Sequence, residues 1–185
     1  MTLGKHAGLQ FGLALIGFTL WTAADSWYLL TGLAIANGLA VVTGALAGVL
    51  VSTVVHEWSH LAGAVLSGSA YKVPKKPGLF VYDFDFKNNS IRQFTIMSLA
   101  GQAGSWVAVI ALYVLIPMDN PGRVMLVCAA VGSAVFGGVI EWPVLRRTRA
   151  SGKPLEELGK IDNNAFKRGA GWGLASGLGL WLLLS

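Results

Sequence analysis

The sequence predicts an all-α polytopic membrane protein with about five transmembrane helices and a short β-hairpin or strand after the second. Three observations carry that expectation. Of the 185 residues, 54% are hydrophobic and 12% charged, a charged share about half that of an ordinary globular chain. Apolar runs recur along the whole length, so one cleavable leader does not explain them. The cations fall on one side of the expected spans: of the 14 lysines and arginines, all but Arg123 lie in segments that share a face, as the positive-inside rule requires of cytoplasmic segments.

The first apolar segment runs from about 7 to 30, with Asp25, Trp27 and Tyr28 read as interfacial residues near its end. From 33 to 66 the chain stays apolar for longer than one crossing of about 20 residues needs, so a turn is expected near Asn37-Gly38 and a span over 39–66. Further spans are expected at 94–116, ended by Pro117, at 123–145, and as a short terminal helix within 169–185. Residues 146–168 read as a cytoplasmic basic loop, and the whole chain as a single membrane-embedded domain. This topology places the amino terminus inside and the carboxyl terminus outside, the expected setting being a bacterial or archaeal cytoplasmic membrane.

Between the second and third spans, "GLFVYDFDFKNNSIRQF" alternates Phe80, Tyr82, Phe84 and Phe86 with Val81, Asp83, Asp85 and Lys87. Period two predicts a strand, and Lys87 to Ser90 a turn. Two uses fit it equally: a lid packed on the helices, or an edge to which an extended peptide adds.

Several function classes drop out. Cys128 is the only cysteine, so neither an intrachain disulfide nor a cysteine zinc knuckle exists. The net charge of +5 is explained by orientation, and no basic-aromatic motif accompanies it, so nucleic acid is not an expected partner. Gly169, Gly171, Gly173, Gly177 and Gly179 form no phosphate loop and read as close helix packing. No internal repeat is visible.

The chemistry concentrates in "VVHEWSHLAG", residues 54–63. On a helix, His56 and His60 are one turn apart on one face and can offer two imidazole nitrogens to one ion. Glu57, turned about 100° from His56, can reach a water at that ion without ligating it and act as general base. The bilayer sharpens the signal, because an ionisable group there costs at least about 2.5–3.5 kcal/mol and ordinarily lines a site or pairs with another. The bland alternative is an interhelix hydrogen-bonded cluster. A catalytic zinc takes three protein ligands. His6 lies at the amino-terminal interface, and Glu141, in "GGVIEWPVL", is the only other carboxylate inside a span. Glu141 is therefore the preferred third ligand, with Glu156 and Asp162 kept as alternatives. The bland role of Glu141 is a pairing with Arg146 or Arg147.

These residues resemble those of the site-2 protease family of intramembrane zinc metalloproteases, as a divergent member. "HEWSH" matches the family's His-Glu-x-x-His in full. "SLAGQAGSWVAV" is similar to its Ala-Gly-Pro-x-x-Asn helix, retaining Ala100 and Gly101, with Gln102 for proline and Ser105 for asparagine. The family's Leu-Asp-Gly element has no counterpart: "IEWP" stands nearest in position, and "PLEE", in the charged loop, nearest as a string. The resemblance covers about 39–145. It implies a zinc-dependent intramembrane endopeptidase that cuts in or near a transmembrane segment of a membrane-protein substrate. Zn2+ would be the cofactor, the bilayer the surroundings, and Gln102, Phe80 and Tyr82 would contact substrate. Two other classes compete: a non-catalytic membrane subunit holding a metal or cofactor, and a proton or ion transporter using His and Glu as a relay. Oligomeric state is not encoded in any pattern read here.

Overall fold

The computed structural model describes all 185 residues as six helices and one two-stranded antiparallel sheet. The helices are α1 (Leu3–Thr31), α2 (Ala34–Leu66), α3 (Ile91–Leu115), α4 (Pro121–Ser151), α5 (Pro154–Leu158) and α6 (Asn163–Leu184); the strands are β1 (Tyr71–Lys72) and β2 (Asp83–Phe84). Four helices, α1 to α4, are long and apolar enough to cross a membrane. In α6, by contrast, Asn163, Asn164, Lys167, Arg168 and a run of glycines dilute the apolar content.

α2 and α4 form the centre and run parallel. Gly122 packs against Ala40, and Gly48 against the Leu126 carbonyl; an added Cβ at either glycine would collide with the facing backbone. α1 lies antiparallel on α2, Gly17 facing Leu50 and Gly44 facing Trp21. α3 is antiparallel to α2, with Gly63 against Met97 and Ala100. Without a hydrophobic drive between helices in lipid, such small residues allow the backbone approach that holds a bundle together. Large apolar side chains point outward instead, among them Leu15, Leu66, Val114 and Leu183.

Two apolar layers divide the interior. One gathers Trp21, Ala47, Val109, Leu112 and Leu126; the other gathers Leu61, Val81, Tyr82, Phe94, Met97 and Val144 at the end that carries the basic loops. That end is called the basic end below.

Several boundaries differ from expectation. The first break falls at Gly32, which takes φ 65°, while Asn37 and Gly38 lie inside α2. Only a glycine adopts that left-handed backbone without strain, so Gly32 outcompetes the Asn-Gly pair as the stop signal. Residues 146–151 are not loop, because α4 continues through Pro143 to Ser151 before Gly152, φ 72°, ends it. Asp25, near the end of α1, is buried at 4% exposure against the start of α4.

The alternating segment is extended but not the strand its pattern predicts. Pairing is limited to Tyr71 opposite Phe84 and Lys72 opposite Asp83, and Val81 and Tyr82, neighbours in sequence, are both buried. Residues 74–79 are instead held by α1: the Pro74 carbonyl contacts His6 Nε2 at 3.1 Å, and Gln10 Nε2 donates to the carbonyls of Gly78 and Leu79. These bonds occupy the backbone groups that a strand partner would take. The turn after Phe86 does form, but leads straight into α3, where Ser90 and Gln93 make a capping box.

Candidate metal centre

His56, Glu57 and His60 sit on α2 toward the basic end, and α4 brings Glu141 against both histidines. His56 Nε2 lies 2.8 Å from Glu141 Oε1, His60 Nε2 lies 3.1 Å from the same oxygen, and the two Nε2 atoms are 3.0 Å apart. The other ring nitrogens define what these three atoms carry. His60 Nδ1 is 2.9 Å from the Met97 carbonyl, which only accepts, so Nδ1 carries a proton, and in the neutral ring Nε2 is left as the lone pair. His56 Nδ1 is 2.8 Å from Ser105 Oγ, whose own hydrogen goes to the Gly101 carbonyl at 3.4 Å. With the Ser105 hydrogen so placed, a neutral His56 donates from Nδ1 and leaves Nε2 as its lone pair.

Two imidazole lone pairs and a carboxylate oxygen thus converge with no donor among them. With both rings neutral, such a triangle could hold a metal ion, which would satisfy all three atoms where a single proton satisfies one pair. The three atoms lie 2.8–3.1 Å apart, close enough for His56, His60 and Glu141 to ligate one ion together. The residues present fit a three-ligand ion, and histidine, histidine and carboxylate suit zinc.

The supporting contacts are of the kind that orient ligands. Gln102 Nε2 donates to the free oxygen of Glu141, Oε2, at 2.8 Å. Glycines provide the space: a Cβ at Gly101 would strike the His60 ring, and Gly137 leaves room for both Gln102 and His56. Glu57 stands beside the triangle, 6% exposed. Its carboxylate bonds to no protein group and opens onto two cavities. One, of about 350 Å³, is also lined by His60, Glu141, Tyr82 and Phe84; the other, of about 420 Å³, by Gln10, Leu50, Thr53 and Leu79. The segment 78–82 passes between them.

The remaining residues singled out in the sequence fall as follows. Phe80 and Tyr82 line the first cavity, Phe80 exposed and Tyr82 buried. Burial, and then the nearby Glu57 and Glu141, push the Tyr82 hydroxyl far above the usual phenol range, so it remains a neutral O–H. Gln102, expected at the substrate, is not among the lining residues; its amide is committed to Glu141, which makes it a positioning residue. Glu156 pairs with Lys153, and Asp162 caps α6 through the Ala165 N–H. Neither approaches the histidines. Arg147 pairs with Glu157 rather than Glu141. His6 is fully buried against Pro74.

Ser105 was noted only as a substitution in a motif, and the Met97 carbonyl was not foreseen. A signal for Ser105 did exist: Ser98, Gln102 and Ser105 recur at helical spacing along one face of an otherwise apolar α3. No protein-family model, no curated protein and no solved structure matches this chain.

Proposed function

We propose that the protein is an intramembrane zinc metalloprotease of the site-2 protease type, cutting a peptide bond in or near a transmembrane segment of another membrane protein. One observation carries the reading. The lone pairs of His56, His60 and Glu141 converge, and beside them lies a carboxylate, Glu57, that no protein group occupies.

His56, His60 and Glu141 would hold zinc, which when bound would lower the pKa of a water toward about 7 and polarise the scissile carbonyl. Glu57 would take the proton as the water oxygen bonds to the carbonyl carbon. It would deliver that proton to the departing amine nitrogen as the carbon–nitrogen bond breaks. His60 and His56 keep their orientation through Met97 and Ser105, and Gln102 fixes Glu141.

A helical substrate hides its carbonyls in internal hydrogen bonds, and a helix is about 10–12 Å across, too wide for a cavity of about 350 Å³. The substrate therefore arrives locally unwound, with Phe80 and Tyr82 beside it. β2 pairs only with β1, and Asp85 and Phe86 spend backbone groups in the turn that follows, so an added strand would pair beside Phe84, which lines the same cavity.

The positive-inside rule assigns the basic end, and with it the cavity, to the cytoplasm. Five crossings follow if α6 spans, and its course supports that. Gly169 packs beside Ile140, Gly173 beside Gly132, Gly177 beside Cys128, and Trp181 Nε1 donates to the Pro121 carbonyl at 2.9 Å. α6 therefore tracks α4 back along nearly its whole apolar length, which would put the carboxyl terminus outside.

The test is Glu57→Gln. The variant is expected to keep about one zinc per chain and to lose cleavage of a reporter transmembrane segment by about 10²–10⁴-fold. Undiminished cleavage would remove Glu57 from its assigned role.

A further inference from the structure

The cavity at the metal centre has a wall that lies far from the matched motifs. Leu158, at the end of α5, and Ile161, in the link to α6, face into it together with Phe84 and Phe86 of the strand segment. They belong to the connection between α4 and α6, which a mere tether would leave loose. Here it is fastened. Glu157 is buried at 3% exposure, its Oε2 accepting from Arg147 Nε at 2.9 Å and its Oε1 from Lys160 Nζ at 2.7 Å. Arg147 stands on α4 six residues beyond Glu141, so the wall is fixed to the helix that carries the third ligand. Between this wall and the strand segment lies a slot whose deep end holds His60, Glu57 and Glu141.

Resting on the hydrolase reading above, we propose that the α4–α6 link is the second wall of the substrate cleft. Leu158 and Ile161 set the size of the side chain accepted beside the scissile carbonyl. The slot takes one large apolar residue, of leucine or phenylalanine size, from an extended chain. Its lining away from the metal is mostly apolar, and about 350 Å³ is near the lower end of the range for ligand pockets, ~300–1,000 Å³. Glu157 is a positioning residue that holds the wall through Arg147.

The test uses zinc-loaded full-length protein in detergent and three hydroxamates, which bind zinc without being hydrolysed, carrying a methyl, an isobutyl or a benzyl side chain. Native protein is expected to bind the isobutyl and benzyl probes about tenfold or more tighter than the methyl probe, since even one methylene in an apolar pocket is worth about 10–200-fold. Replacing Leu158 and Ile161 together by alanine should collapse that ratio. Leu158→Trp, a second variant in case the double one loses its zinc, should fill the slot and turn preference toward methyl. Equal ratios in all three proteins, or no binding of any probe to native protein, would overturn the assignment. Cleavage of a reporter segment is measured in parallel. Discrimination among hydroxamates without cleavage keeps the subsite and removes the hydrolase reading, whereas cleavage without discrimination removes the subsite alone.

Discussion

The bundle buries two polar clusters at opposite ends, and they are built on opposite principles. At one end, Asp25 accepts from Asn120 Nδ2 at 2.8 Å and from Arg123 Nε at 2.9 Å and Nη2 at 2.8 Å, while Arg123 Nη1 reaches Asp119 at 3.0 Å. Every acceptor there meets a donor, and the cluster joins α1 to α4 without help. At the basic end, His56, His60 and Glu141 aim acceptors at one another, and every available donor is turned away, toward Met97, Ser105 or the far oxygen of Glu141. A closed cluster is a brace; an open one of this kind could seat a cation. On the function proposed above, the same costly device, ionisable groups inside an apolar bundle, would serve cohesion in one place and chemistry in the other.

Substitutions should separate the two. Asp25→Ala leaves the half-buried Arg123 with only the exposed Asp119, and breaking a fully buried pair costs about 3–5 kcal/mol, an upper bound here. The thermal midpoint in detergent should fall sharply while zinc content of the folded fraction stays unchanged. If midpoint and zinc fall together, the two ends are not independent.

Glu141→Gln works in the opposite sense. It gives the triangle an N–H donor in place of a lone pair, so the cluster closes on itself without an ion. Native protein should lose stability on chelation, by up to about 4 kcal/mol relative to zinc at a thousandfold excess over its Kd, whereas the variant should be zinc-free and indifferent to chelator. A chelator response retained by the variant would mean that the ion sits elsewhere.

A smaller effect is expected from Ser105→Ala, which frees His56 Nδ1 but removes no ligand. Zinc affinity should weaken about 10–100-fold, the usual cost of losing an outer partner of a metal-bound histidine. An unchanged affinity in competition with a chelating dye would discount the tautomer assigned to His56.

The least effect concerns the fastening of the cleft wall. Lys160 first, and Arg147 after it, hold the Glu157 carboxyl below its usual range. A carboxylate with a depressed folded value contributes stability that is fully present above its unfolded value, near 4.3, and lost as pH falls through the folded one. Protection of 152–162 against hydrogen exchange, corrected for the intrinsic rate at each pH, should therefore be high at neutral pH and fall below about pH 4. Glu157→Gln should exchange faster at neutral pH and show less of that acid response.

The candidate metal centre is legible in the sequence where chemistry is expensive. His56, Glu57, His60 and Glu141 are conspicuous because ionisable groups are rare within the apolar runs, and helical spacing alone puts the histidines on one face. The helices of the core were legible for a similar reason. What could not be read was decided by packing. Asn37-Gly38 is the stronger turn signal, yet Gly32 supplies the left-handed residue that ends α1. The aromatic alternation of 80–86 describes a strand, but His6 and Gln10 claim the preceding backbone from a helix some 68 residues away. Roles for Met97 and Arg147 were beyond reach as well, since a backbone carbonyl has no residue signature and a lone arginine in a basic stretch is indistinguishable from its neighbours.

Metal analysis of protein purified without added zinc tests the central claim most directly. About one zinc per chain is expected in the native protein and in Glu57→Gln, and none in Glu141→Ala. A native protein free of metal, or Glu141→Ala with a full zinc, would contradict a cation seated on those three lone pairs.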